Sequence, residues 1–533
     1  MIGRRAYFGI PVAISILAAI AVLFVSCEKR ERDARVLRMN IETEPPSLDW
    51  SIATDNWSIH VINNIMNGLT RYDDDLVAQP ALAERWDVSD DGMVYRFHLR
   101  KDVEWTDGVP LTARHFVDGW RRLLDPATAA EYAYFLYDVE GARNFNTGEL
   151  KDFSKVGVKA IDDHTLEVRL NKPIVYFTDV VNFVSTFPIR IDVIDKYGDE
   201  WTEPGNIQTL GPYKLESWRH EYRMEIVRNR TYYGPAPSIE RVEMYMVGEE
   251  NTGLDLYDTG KLDLIRVPSH AVPYYRSKPG YREGPAYWMF YLGFNVSKPP
   301  FDNPDVRRAF AHSIDREQVV EVIKGGRRAW AGWIPPRMFA SNSDAGCPFD
   351  VKKAKTFLER AGYKSASELP ETTLGFNTNL VNTMVASNVQ QQWRSNIGAK
   401  IKLDNMEWKV YLGRLKEEPP RIFRLGWIAD YSDPDNFMRL FISDSGNNHT
   451  KWGNPRYDRL IELAAVERDS EKRRKLYDRA QEILLVEDCV ILPLFVSQVT
   501  RLVSPRIDGY KVNAMDFIFL DRLSLNVVGG TDR

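Results

Sequence analysis

The run from Pro80 to Phe116 leaves its part of the chain few conformational choices. Pro80–Val88 reads as a strand and Asp90-Asp91-Gly92 as a tight turn, and Met93–Arg100 alternates apolar and polar residues with period two, so the segment closes as a hairpin. A second Asp-Gly step, Asp107-Gly108, turns the chain again, and Thr112 then caps a helix expected over Ala113–Leu124. Gly157–Leu170 repeats the hairpin chemistry around Asp162-Asp163, so those adjacent carboxylates belong to a turn rather than to acid–base catalysis.

Elsewhere, Val36–Ile41 alternates as a first strand, Ile59–Leu69 carries apolar residues at helical spacing, and Pro304 opens a helix expected to run through Val319. Strands alternating with helices over 533 residues imply mixed α/β architecture in two or three domains. A net charge of −5 argues against nucleic acid as a partner, because phosphate binding needs a basic surface. Aromatic residues make up 12% of the chain, which suits either a ligand cleft or large packed cores.

The N-terminus has the layout of an export signal: Arg4 and Arg5, an apolar run from Ile10 to Val25, then Ser26-Cys27. That run is shorter than the roughly 20 residues of a spanning helix. Phe24-Val25-Ser26-Cys27 resembles a bacterial lipoprotein cleavage box, although Leu23 stands one place early and Phe24 takes its position. Cleavage before a lipidated Cys27 would remove both arginines and take the formal charge from −5 to −7; an uncleaved signal anchor would leave the chain on the same side of the membrane. Glu28–Arg35 follows as a charged, solvated tether. Cys347 and Cys489 fit no metal spacing, and no disulfide is expected between them.

Arg424-Leu-Gly-Trp-Ile-Ala-Asp430 begins as a period-two strand and breaks into the turn-rich Tyr431–Asn436. Arg424 and Asp430 fall on one face, about 20 Å apart if the strand stays extended at roughly 3.3 Å per residue. Two readings are open: a strand end whose charges are satisfied by neighbours, or a floor for a ligand carrying both an ammonium and a carboxylate. Asp430, Asp433 and Asp435 lack the spacing and the central glycine of a calcium loop. No His-Glu-x-x-His, Gly-x-Ser-x-Gly, Walker loop or helix-opening Gly-x-Gly-x-x-Gly occurs, so neither an enzyme nor a bound cofactor or metal is expected.

LAERWDVSDDGMVYRFHLRKDVEWTDGVPLTARHF (82–116), GVKAIDDHTLEVRL (157–170), GFNVSKPPFDNPDVRRAFAHSIDREQVV (293–320) and GWIADY (426–431) together resemble the oligopeptide-binding proteins of bacterial peptide ABC transporters. The resemblance covers essentially the whole chain after the leader. It implies a two-lobed periplasmic-binding-protein-like fold of the class II or cluster C type, with an extra domain inserted in the first lobe. By that analogy residues 1–26 are the signal and 27–35 the tether. Lobe I takes 35–57, 188–288 and 500–533, the insert takes 58–187, and lobe II takes 289–499. The implied role is capture of short peptides by an exported, lipid-anchored monomer that passes them to permease and ATPase subunits. The same scaffold also serves nickel, haem, oligosaccharide and cell-wall peptide uptake.

The resemblance also assigns residues. Asp430 corresponds to the carboxylate that holds the ligand ammonium, Gly426, Trp427 and Ile428 to backbone and pocket wall beside it, and Arg424 to an arginine offered to the ligand carboxylate. Glu44 matches a first-lobe acid near the ligand backbone and reads equally well as a turn residue; Trp408 matches a pocket tryptophan and reads also as core; Tyr132 resembles a cleft tyrosine. Departures concentrate at the carboxylate end: Asn382 stands for a histidine and Leu415 for an arginine, with Arg414 one place off, while Trp288 and Ile428 replace two cleft cysteines.

Overall fold

The computed structural model describes residues 35–526, so the leader and Cys27 lie outside the described residues. Its organising element is one mixed sheet of eleven strands. One half sets Tyr213–Arg219, Arg223–Arg228, Arg241–Tyr245, Val36–Asn40 and Leu264–Arg266 side by side; the other sets Ile422–Ile428, Thr372–Asn377 and Ile401–Met406. Two long antiparallel strands, Tyr281–Phe294 and Ile491–Val503, belong to both halves. The halves are the sheets of two lobes, and these two strands are shared between them. A separate four-stranded sheet is built from Ala83–Val88, Val94–Leu99, Thr165–Arg169 and Val158–Asp162, which are the two hairpins legible in the sequence.

The shared strands do not run through unbroken. Tyr281–Pro285 pairs with Gln498–Leu502 and Met289–Gly293 with Ile491–Val496, and the register shifts between Pro285 and Met289. At this break the Tyr287 amide donates to the Ala514 carbonyl at 2.7 Å, and the Tyr287 carbonyl accepts from the Ala429 amide at 2.8 Å. Beyond the break the sequence turns into the apolar run Met289–Phe294, because both faces of that strand are covered. Met289 and Tyr291 pack into one core with Trp333 and Phe437, while Phe290, Leu292 and Phe294 pack into another with Phe310 and Trp393.

Helix Ala113–Leu124 has the expected bounds; the Thr112 amide donates to His115 Nδ1 at 3.1 Å, and Phe116, Trp120 and Leu123 face the core. The helix expected over Pro304–Val319 is two helices, Pro304–His312 and Arg316–Ile323. The Ser313 hydroxyl turns back to the Phe310 carbonyl at 2.9 Å, and the Asp315 carboxylate takes the Glu317 amide at 3.0 Å as a fresh N-cap. Similarly, the helix expected over Ile59–Leu69 runs from Asn56 to Ile65, because Asp55 caps it earlier and Met66 adopts extended backbone. Among the described residues, no helix is long and apolar enough to cross a membrane. Cys347 and Cys489 are buried free thiols, and Cys347 Sγ donates to the Leu485 carbonyl at 3.3 Å.

Candidate functional site

Strand Ile422–Ile428 carries the sequence stretch singled out above, and its alternation sorts the side chains. Phe423, Leu425 and Trp427 face the core under the second lobe. Arg424, Gly426 and Ile428 face the other way. A Cβ at Gly426 would stand 2.9 Å from the Phe290 ring and 3.0 Å from the Met289 carbonyl, so the close approach of the neighbouring strand requires glycine here. Trp427 acts from the core side: its indole N–H donates to Asn436 Oδ1 at 2.8 Å, and the same oxygen accepts from the Asp430 amide at 3.2 Å. One asparagine thereby fixes the chain where the strand ends and Asp430 begins.

The Asp430 carboxylate is half-buried and its partners are neutral. The Tyr132 and Tyr134 hydroxyls donate to its two oxygens, each at 3.3 Å, and Asn436 Nδ2 donates at 3.4 Å. No cation of the described residues lies within ion-pair distance. Burial therefore dominates and pushes the Asp430 carboxyl up to about 6, against the pull of the three donors. Burial, reinforced by the Asp430 charge, raises the Tyr132 and Tyr134 phenols. The nearby acids behave differently. Asp433 makes two bonds with Arg473 at 2.9 and 2.8 Å, and Asp435 makes two with Arg439 at 2.7 and 3.0 Å, so both are spent on the fold. No cluster of potential metal ligands occurs among the described residues.

Asp430 lines a narrow pocket of about 420 Å³, counted with its mouth, together with residues of the first lobe and the 58–187 segment. A larger cleft of about 1560 Å³, again counted to its open mouth, adjoins it through Phe517. The floor of that cleft is the broken region of the shared strands: Ala286, Tyr287, Trp288, Ser497, Gln498 and Val499. Trp288 and Ile428 are direct cross-strand partners that both line it. Most charges on the wall facing that floor neutralise one another or are held neutral. Asp516 holds Arg501 at 2.6 Å and Arg266 at 3.3 Å, and burial keeps His60 neutral by lowering it to about 4.

Two cations have no such partner. Arg424 is 9% exposed, lies over the Phe290 ring at 4.5 Å, and reaches only Asn377 Oδ1, at 3.4 Å. Asn382 locks that asparagine by donating to its side chain and carbonyl at 2.8 and 3.0 Å. Arg327 lines the cleft and bonds only Ser269 Oγ at 2.9 Å and the Gly325 carbonyl at 3.1 Å. Each guanidinium leaves its buried Nε without a partner, and neither meets a carboxylate within the described residues. Burial lowers both, Arg424 to about 10. Arg327 escaped the sequence reading because nothing local marks it; pairing of its short strand with Ile491–Val503 puts it at the cleft.

Of the other expected residues, Tyr132 is brought to Asp430 and Ile428 to the cleft. Glu44 instead accepts from His220 Nδ1 at 2.6 Å and the Glu221 amide at 2.9 Å, and the acid of that segment that lines the cleft is Glu42. Trp408 opens helix Trp408–Glu417, is 47% exposed, and lines neither cavity. Leu415 is core, and Arg414 is exposed and bonds the Glu418 carbonyl of its own helix end at 3.1 Å.

Residues 77–449 match the family model described as bacterial extracellular solute-binding proteins, family 5. The oligopeptide-binding protein OppA of Bacillus subtilis (strain 168) is 33% identical over 484 residues, 88% of each chain. Among solved structures, the unliganded open form of the murein tripeptide binding protein MppA is similar with a TM-score of 0.79 at 28% identity, covering 93% of this chain and 98% of that one. The OppA of Haemophilus influenzae in complex with RPPGFSPFR has a TM-score of 0.77 at 30% identity, covering 93% and 99%.

Proposed function

The chain belongs to family 5 of the bacterial extracellular solute-binding proteins, and on that premise we propose that it captures short peptides by their charged ends between its two lobes. One observation carries this reading. The two adjoining cavities hold an anion without a cation, Asp430, and a cation without an anion, Arg327, while Arg266 and Asp516 of the wall are paired; Arg424, equally without an acid, is buried and lines neither cavity. Buried unpaired charge is costly, and a zwitterionic ligand supplies both missing partners at once. A ligand of varied sequence offers little else that is constant. An oligosaccharide would leave Asp430 and the arginines uncompensated.

Closure on the ligand would be a hinge at Ala286–Trp288 and Ser497, where the two shared strands lose register. We keep the division into lobe I (35–57, 188–288, 500–533), insert (58–187) and lobe II (289–499), of which the 288/289 and 499/500 boundaries lie beside this break. The closed protein would then hand its peptide to the permease and ATPase of an ABC transporter, working from outside the cytoplasm and tethered through lipidated Cys27. Replacing Cys27 by Ser should release the protein from membrane fractions; continued membrane association would indicate a signal anchor.

Titration calorimetry with a free-amine peptide and its N-acetyl form tests the central reading. Asp430→Ala should weaken the free-amine peptide at least tenfold and leave the already weak acetyl form unchanged. Equal loss for both, or loss for neither, would remove Asp430 from the anchor role.

A further inference from the structure

The pocket beside Asp430 contains a second carboxylate that no partner neutralises. Asp179, on the short helix Phe177–Val180 of the 58–187 segment, lines the pocket, and no cation of the described residues is within ion-pair distance. The Tyr72 hydroxyl, which accepts from the Ser432 amide at 3.1 Å, stands near it. Asn67 lines the same pocket at 2% exposure and has its Oδ1 without a hydrogen-bond partner, its Nδ2 being used on the Tyr232 and Tyr233 hydroxyls. Arg71, the cation of the pocket wall, is held in two bonds by Asp521 at 2.7 and 2.6 Å and contributes no net charge. Phe183, Phe187 and Phe519 supply apolar wall.

We propose that this pocket receives the side chain of the ligand's first residue and selects lysine or arginine there, with Asp179 and Asn67 Oδ1 taking the cationic tip. The inference rests on Asp430 as the ammonium site. Because Asp430 itself lines the pocket, a peptide anchored there has its first side chain at the pocket mouth. The apolar walls accept an aliphatic stem and the acid end accepts a charge, the combination that long basic side chains satisfy. A neutral side chain would leave the Asp179 charge and the Asn67 oxygen unmatched.

Electrostatics agree. Burial, and next the nearby Asp433 charge, push the Asp179 carboxyl up to about 7, against the pull of Tyr72 and of Arg473, which is committed to Asp433. Entry of a cation should therefore expel a proton that an uncharged side chain leaves in place.

The test uses the purified full-length chain and X-Ala-Ala and X-Ala-Ala-Ala-Ala peptides in which X is lysine, arginine, norleucine or alanine. Lysine and arginine should bind about tenfold tighter than isosteric norleucine at pH 7.5. In Asp179→Asn the lysine-to-norleucine ratio should fall to about one, with the alanine peptides nearly unchanged. Calorimetry of the unmutated chain at pH 7, in buffers of different ionisation enthalpy, should show about half a proton more released with lysine than with norleucine, and this holds whether or not the variant folds. A ratio near one with unmutated protein that still binds the alanine peptides overturns the inference and leaves the Asp430 anchor standing. Persistence of the ratio in Asp179→Asn, or equal proton release, overturns the role of Asp179. Failure of every peptide to bind overturns the peptide-capture reading and this inference with it.

Discussion

Replacing Asp430 by asparagine should make the empty protein more stable while making it a poorer receptor. The carboxyl moves from 3.8 to about 6 on folding because burial disfavours its charge and only two tyrosines and one asparagine support it. A rise of that size costs the ionised folded state about 3 kcal/mol, at 1.36 kcal/mol for each tenfold change in acidity. The penalty is absent below pH 3.8, where the group is protonated in both states, grows between 3.8 and 6, and is complete above 6. Asparagine keeps the shape and the hydrogen-bonding oxygen without the charge. Denaturant titrations of ligand-free protein should therefore find Asp430→Asn more stable than the unmutated chain by up to about 3 kcal/mol at pH 7.5 and by about half that at pH 5. Saturating free-amine peptide should reverse the order at pH 7.5, because only the carboxylate gains from the ammonium. A variant that is no more stable at pH 7.5, or a difference independent of pH, would refute the claim that Asp430 is an uncompensated charge.

Three further perturbations separate ligand-directed residues from structural ones. Arg424→Met removes a buried guanidinium that lacks an acid, so the empty protein should unfold no more easily, while peptides ending in a free carboxylate should lose their advantage over C-amidated ones in binding titrations. Arg473→Met leaves Asp433 buried and unpaired, and should lower unfolding free energy by roughly 3–5 kcal/mol at neutral pH, a loss that shrinks as the pH falls towards 4, because burial already raises this acid and it protonates above its ordinary value. Gly426→Ala drives a methyl against the Phe290 ring and the Met289 carbonyl, and should destabilise the chain by about 1–3 kcal/mol in the same denaturant assay and weaken every peptide alike.

Local chemistry made the hairpins and the Ala113–Leu124 helix readable, because Asp-Gly turns and a threonine cap act over a few residues. The strand ending at Ile428 was readable from its period, but Asp430 lies beyond its end, so the common face expected for Arg424 and Asp430 does not extend to it. Local pattern could not say that Asp430 lacks a cation, since Tyr132 and Tyr134 reach it from about 300 residues away; only resemblance singled it out. Glu44 came from the resemblance, and no local period marks which acid of its segment reaches the cleft. Glu42 has a φ of +62°, and that left-handed residue re-aims the segment so that Glu42 lines the cleft while Glu44 turns to His220. Arg327 and Asp179 were illegible for another reason: their neighbourhoods are assembled from strands and helices distant in sequence, and neither sits in a motif.

The placement of unpaired charge also gives closure a driving force. Asp430 comes from the second lobe, while Tyr132, Tyr134 and Asp179 come from the 58–187 segment, so the pocket around the ammonium exists only when the two are apposed. Apposition without a ligand strips water from two carboxylates and supplies only neutral donors in return, which is why burial raises both acids. A bound peptide changes the sign of that balance: its ammonium gains from Asp430, and a basic first side chain gains from Asp179, most where water is excluded. A ligand therefore favours the closed arrangement by as much as it relieves this electrostatic cost, and one lacking a free amine relieves little of it. The proposed hinge at Ala286–Trp288 and Ser497 would let the lobes respond, because two strands without continuous pairing bend more easily than an intact sheet. In the proposed function, selectivity for a charged peptide end and readiness to close are thus two results of the same uncompensated carboxylates.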